Sequence, residues 1–183
     1  GYDLEKAVDL CSQTATPEYN GREFNECVGG TIMEIIGGVH DREAWSRAHK
    51  KYFKYDDPLY PCSADFIPDR IKSICYNYLT PHLFTAAGGS LSNPIPVIGK
   101  AFSFCEAIPE EKVADRTSCY GGFGKEFIVL TKERDIREID VMTPEQIKRV
   151  YDWCSEAGNE KGQNNCLVFA VSSMYWGGEN KYD

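Results

Sequence analysis

Nothing in this sequence reads as a clean membrane-spanning helix. The longest stretch without a formal charge, Ser73 to Gly99, is interrupted by Asn77, Pro81, Gly88, Gly89, Asn93, Pro94 and Pro96, and lipid cannot satisfy the backbone groups such breaks expose. Basic residues are in deficit. Twenty Lys and Arg stand against 28 Asp and Glu, a net charge of −8 with no local basic patch, so nucleic-acid backbones and anionic surfaces are repelled. Close cysteine pairs are missing: there is no C-x-x-C or C-x-x-C-H, the nearest cysteines are 12 residues apart, and only three histidines are present. These spacings speak against zinc, iron–sulfur and c-type haem sites. Neither G-x-S-x-G nor S-x-x-K occurs, which leaves nucleophilic catalysis little footing. The run Gly121 to Lys125 lacks both the Walker spacing and the third glycine of a dinucleotide fingerprint. No N-x-S/T sequon is found either. The expectation is a chain with no cofactor, no bound metal, no nucleic-acid partner and no membrane span.

What is there is an ordinary globular balance, 42% hydrophobic and 26% charged residues in a chain of 183, enough for one domain over 1–183. Eight cysteines, an even number, imply disulfides and an oxidising location: extracellular, cell-surface or periplasmic. The chain starts at Gly1 rather than Met, as a secreted protein does once its signal is cut away and as a cloning remnant would as well.

The cysteines fall into four pairs: Cys11 with Cys27, Cys62 with Cys75, Cys105 with Cys119, and Cys154 with Cys166. First members are 51, 43 and 49 residues apart, second members 48, 44 and 47. This predicts four degenerate units, at 1–38, 39–89, 90–132 and 133–183. Before the first cysteine, Leu4, Ala7, Val8 and Cys11 share one helical face, as do Ile98, Ala101, Phe102 and Cys105, and Ile147, Val150, Tyr151 and Cys154. Thr143, Pro144 and Gln146 spell a helix start with a capping box. In the second unit Pro58 and Pro61 forbid a long helix, and a short turn is expected. After the second cysteine a second face recurs: Val28, Thr31, Ile35; Tyr76, Leu79, Leu83; Tyr120, Phe123, Phe127; Leu167, Ala170, Met174. Three of these predicted helices run into glycine pairs, Gly37-Gly38, Gly88-Gly89 and Gly177-Gly178, suited to a left-handed cap. Glycines inside the helices, Gly29-Gly30 and Gly121-Gly122, each weaken a helix by about 1 kcal/mol and are expected where a neighbouring backbone comes close. The predicted fold is all-α: a solenoid-like array of four helical hairpins, each stapled by its own disulfide. Eight cysteines permit 105 pairings, and only the recurrence of the pattern selects this one.

The third unit, AFSFCEAIPEEKVADRTSCYGGFGKEF with its C…P…R…CYxGxG run, resembles a repeat of secreted or surface-anchored, mostly uncharacterised prokaryotic proteins with serial CYxGxG segments. The resemblance covers Cys105 to Phe127; it implies α-hairpin units and export, and no activity. The other units depart from it, with Cys27-Val28-Gly29-Gly30, Cys75-Tyr76-Asn77-Tyr78 and Cys166-Leu167-Val168-Phe169.

Two sets of polar residues stand out. Asp56 and Asp57 lie among aromatics in KYFKYDDPLYP, where a calcium loop or a sugar-binding edge would find carboxylates and ring faces; the plainer reading is a solvated turn. His40, Asp41 and Glu43 could ligate a metal with His49, but lack the i, i+4 spacing, and a surface helix start fits better. Aromatics outside the shared faces mark a candidate interaction surface: Trp45, Tyr55, Tyr60 and Trp176, with Asp56 and Asp57. Helical arrays expose long surfaces, so the leading expectation is a non-enzymatic extracellular structural or binding protein. It would be a subunit of a surface or filamentous assembly, or an adaptor, with a protein, its own copies or a carbohydrate as partner. The competing expectation is a secreted hydrolase or carbohydrate-active protein with an acidic, aromatic groove near Trp45, Tyr55, Asp56 and Asp57.

Overall fold

A computed structural model describes residues 3–14, 16, 21–37, 42–90, 93–134 and 141–177, with backbone alone at Gly37 and Trp176. The described residues form nine α-helices and no strand. These are α1 (Leu4–Ser12), α2 (Arg22–Gly37), α3 (Arg42–Tyr52), α4 (Asp69–Tyr78), α5 (Thr80–Ala86), α6 (Ile98–Glu106), α7 (Val113–Thr131), α8 (Pro144–Ser155) and α9 (Glu160–Gly177), with a 3-10 turn at Ile95–Val97 before α6. The fold class is all-α, as the periodicities require.

All eight cysteines pair, and each bridge closes within one unit. Cys11–Cys27 joins α1 to α2, Cys105–Cys119 joins α6 to α7, and Cys154–Cys166 joins α8 to α9. Cys62–Cys75 ties a turn-rich stretch to α4; Pro58 and Pro61 keep that stretch from becoming a helix, as expected. Behind the bridges, the helices that follow each second cysteine lie side by side in chain order: α2 packs on α4, α4 on α7, and α7 on α9.

Local sequence accounts for the helix ends. Thr143 caps α8 by accepting a hydrogen bond from the Gln146 amide, and the Gln146 side chain returns one from the Thr143 amide. Asp3 caps α1 through the Lys6 amide at 3.1 Å. After α5, Gly88 takes φ +99°, the left-handed conformation expected of a capping glycine. After α7, where no glycine pair follows the helix, Glu133 and Arg134 take φ 52° and 65° instead, a conformation that costs side-chain-bearing residues free energy. Gly38 and Gly178 lie outside the described residues.

Three expectations need correction. The second helix of unit two is not continuous: it breaks at Leu79 into α4 and α5, because Pro81 sits in the first turn of α5 and has no N–H to offer. Ile147 and Tyr151, expected on the buried face of α8, are exposed; α8 docks on α7 and α9 through Val150, Cys154 and the half-buried Trp153. Finally, Gly30 has no close neighbour, since a Cβ there would meet nothing within 4 Å.

Gly29 and Gly121 face side chains, Ile74 and Phe169, rather than a neighbouring backbone; the backbone contact expected is found at Gly122, and also at Gly124. A Cβ on Gly122 would stand 2.5 Å from the Asn77 carbonyl oxygen; one on Gly124 would overlap the Cys166 carbonyl oxygen and lie 2.8 Å from the Ala170 nitrogen. Glycine at these two positions lets α7 seat its backbone against α4 on one side and α9 on the other. The core beside this contact is aromatic: Phe102 stacks on Phe123 at 4.0 Å, Phe84 meets Phe123 edge-on at 5.3 Å, and Phe127 touches Trp153 at 5.3 Å.

Candidate interaction surfaces

The residues singled out near Asp56 line neither of the two grooves described below. Asp56, Asp57 and Tyr55 are exposed on a turn, Tyr55 to 64%, and Tyr60 is half-buried under the Lys54 ammonium at 3.8 Å from its ring. Trp45 is half-buried in α3, and its indole N–H donates to the Ile35 carbonyl at 3.0 Å. Trp45 therefore ties α3 to α2. The Trp176 side chain lies outside the described residues, as do His40 and Asp41. Among the described residues no group of three or more His, Cys, Asp or Glu is placed to hold a metal ion, and no helix is long and apolar enough to cross a membrane.

What sequence reading missed is a histidine–aromatic cluster between α3 and α5. His49 lies between Trp45 and Phe53, with ring centroids 4.7 and 4.6 Å away, and His82 packs on Phe53 at 5.0 Å and Tyr55 at 6.0 Å. The two imidazoles are 6.5 Å apart. His82 is 3% exposed. Its Nε2 is 3.2 Å from the Lys54 carbonyl oxygen, which can only accept, so Nε2 carries the proton. Nδ1 is buried without a partner. Burial pushes His82 down to about 4, with the Lys54 hydrogen bond opposing the shift and His49 adding to it; burial also lowers His49. The signal in the sequence was there, His49 one helical turn from both Trp45 and Phe53, but nothing local announces that His82 arrives from 33 residues away.

This cluster makes stability depend on pH. Between the ordinary histidine value of 6.5 and about 4, the unfolded chain binds a proton that folded His82 refuses. Its contribution is therefore complete above about pH 6.5 and is lost as the pH falls toward 4, by about 2 to 3 kcal/mol. Carboxylates held below their usual range, Asp3, Glu23, Asp69 and Glu145, begin to lose their contributions only as the pH falls to the ordinary carboxylate values near 4 and continue to lose them below. Urea titrations at pH 7.5 and 5 are expected to differ by most of the His82 effect, and His82→Phe is expected to remove the larger part of that difference, leaving the share of His49; an unchanged slope in the variant would assign it elsewhere.

Two open grooves of about 490 Å³ each cut the surface. One is lined by Asn25, Glu26, Gly29, Gly30 and Met33 of α2, Ser73, Ile74, Asn77 and Tyr78 of α4, Ser118 of α7 and Phe169 of α9. The other lies along α7 and the start of α9, between Glu110, Val113, Arg116, Thr117, Tyr120, Asn159, Lys161 and Asn165. Each holds a single carboxylate, and neither includes Asp56 or Asp57. A third feature is apolar. Val168 and Val171 on α9 are 59% and 66% exposed, with Tyr175 one turn further on, and the same unit exposes Ile147 and Tyr151 on α8.

No protein-family model, curated protein or solved structure matches this chain. Its function must therefore be argued from these surfaces.

Proposed function

We propose that this is an exported, non-enzymatic structural or binding protein, a subunit of a surface or filamentous assembly in which its helical units form a solenoid-like repeat. The observation that carries the reading is the outward side of α9. Each earlier helix in the row α2, α4, α7 covers an apolar side of the next, whereas α9 packs on α7 and leaves Val168 and Val171 to solvent. Repeat arrays need a polar outer face on their terminal units to stay apart, and this one is apolar. A second copy laid there would continue the packing that α7 makes with α9. Four disulfides fit the oxidising compartment such a protein would occupy.

Light scattering on the untagged, oxidised protein tests the reading. The mass is expected to rise with concentration beyond 20.6 kDa, and Val168→Lys with Val171→Lys is expected to hold the chain at monomer mass without changing its melting temperature. A wild-type chain that stays monomeric at all concentrations would overturn the assembly reading.

A further inference from the structure

The groove between α2 and α4 contains a glycine without a packing reason. Gly30 lies inside a helix, where glycine costs about 1 kcal/mol relative to alanine, and no atom stands within 4 Å of the place its Cβ would occupy. Gly29 is different: a Cβ there would press on Ile74 at 3.1 Å. Gly30 therefore keeps open a space that the folded chain does not fill, in the wall of a cavity of about 490 Å³, a size typical of ligand sites.

The walls also carry unused hydrogen-bonding capacity. Asn77 Nδ2 reaches only the Ser118 carbonyl, at a long 3.5 Å. Neither the Ser73 nor the Ser118 hydroxyl bonds to a described residue. Such groups gain when a ligand supplies the missing partners. Glu26 is the one charged residue in the lining, and Arg22 Nε already holds its carboxylate at 2.7 Å. The ligand is accordingly uncharged where it lies in the groove, with both donors and acceptors and an aliphatic part to meet Met33 and Ile74.

Peptide and sugar both offer donors and acceptors; the aromatic residues decide between them. A sugar ring would need an open aromatic face. Tyr78 has Lys125 Nζ over its ring at 3.7 Å and its Cε2 edge toward Gly29, and Phe169 lies flush against Gly121. We infer that the α2–α4 groove binds an extended, uncharged peptide segment: main-chain groups pair with Asn77 and with the Ser73 and Ser118 hydroxyls, and one aliphatic side chain rests over Gly30 between Met33 and Ile74. Met33 is suited to this, being unbranched and adaptable. The inference goes beyond the assembly reading and does not need it, since the mass of the protein tests that reading and peptide binding tests this one.

The test is a titration of the full, oxidised, isotope-labelled chain, followed by amide NMR shifts. The probe is a pool of capped pentapeptides with Leu, Ile, Val or Met at the centre and Ala, Ser or Thr around it; capped cellulose- and starch-derived hexasaccharides serve as the second arm. The peptide pool is expected to move the amides of Asn25, Gly29, Gly30 and Asn77, and the saccharides to move none. Gly30→Leu, which fills the space and improves the helix, is expected to weaken peptide binding at least tenfold while the melting temperature holds or rises. Asn77→Ala is expected to weaken it several-fold. Absent peptide shifts, saccharide shifts at these residues, or peptide binding that survives Gly30→Leu would each overturn the inference.

Discussion

Gly124→Ala is expected to destabilise the protein by about 3 kcal/mol, although alanine is the better helix former by about 1 kcal/mol. The added methyl would meet backbone on its far side, the Cys166 carbonyl and the Ala170 nitrogen, rather than the movable end of a side chain. Relief requires α7 and α9 to separate, and α9 is fixed near Cys166 by its own bridge to Cys154. Gly30→Ala is the matched control: the same substitution, also inside a helix, with open space around it, is expected to stabilise by about 0.5 to 1 kcal/mol. Urea melts of both variants read the two signs side by side. If Gly124→Ala proved as benign as Gly30→Ala, the close seating of α7 on α9 would be wrong.

Loss of the disulfides is the second large effect. In the chain-entropy account, closing a ring of about 15 residues contributes about 3 kcal/mol, and the four bridges span 12 to 16 residues. Removing the central bridge with Cys105→Ala and Cys119→Ala is expected to cost about that much, against a total stability of about 5 to 15 kcal/mol for an ordinary domain. Both sulfurs sit in a fully buried part of the core, so two cavities add to the loss. Reduction should also proceed in order. Cys27 is the one half-buried cysteine and lies in the first unit, so limited thiol treatment followed by alkylation is expected to label Cys11 and Cys27 first. Labelling of Cys105 and Cys119 at the same rate would mean that the core opens as easily as its edge.

These effects indicate which parts of the molecule can be read from sequence. The helices of units one, three and four, the capping box at Thr143, and the pairing of the cysteines are local or recurrent, and spacing alone carries them. Long-range packing is another matter. Pro81 was visible as a helix breaker, yet the shared face Tyr76, Leu79, Leu83 survives the break, because Leu79 and Leu83 stay buried on either side of it. The helix α3 has few apolar residues and is held by Ala48, Tyr52 and the Trp45 hydrogen bond to α2, a contact no local pattern announces.

The candidate sites show the same division. Acidic and aromatic residues near Asp56 attract notice because they are adjacent in sequence, but adjacency left them on an exposed turn. Asn25, Gly30, Asn77 and Phe169 come from three units and meet only because α2, α4 and α9 line one groove. His49 and His82 meet for a similar reason, through α3 and α5. In each case the chemistry is made by the order in which helices pack.

That order rests on every bridge staying within its own unit. Mass spectrometry of peptides from the unreduced protein tests this directly. The account predicts four linked peptides, Cys11 to Cys27, Cys62 to Cys75, Cys105 to Cys119 and Cys154 to Cys166, with no free thiol. A link between units, such as Cys11 to Cys75, would contradict it.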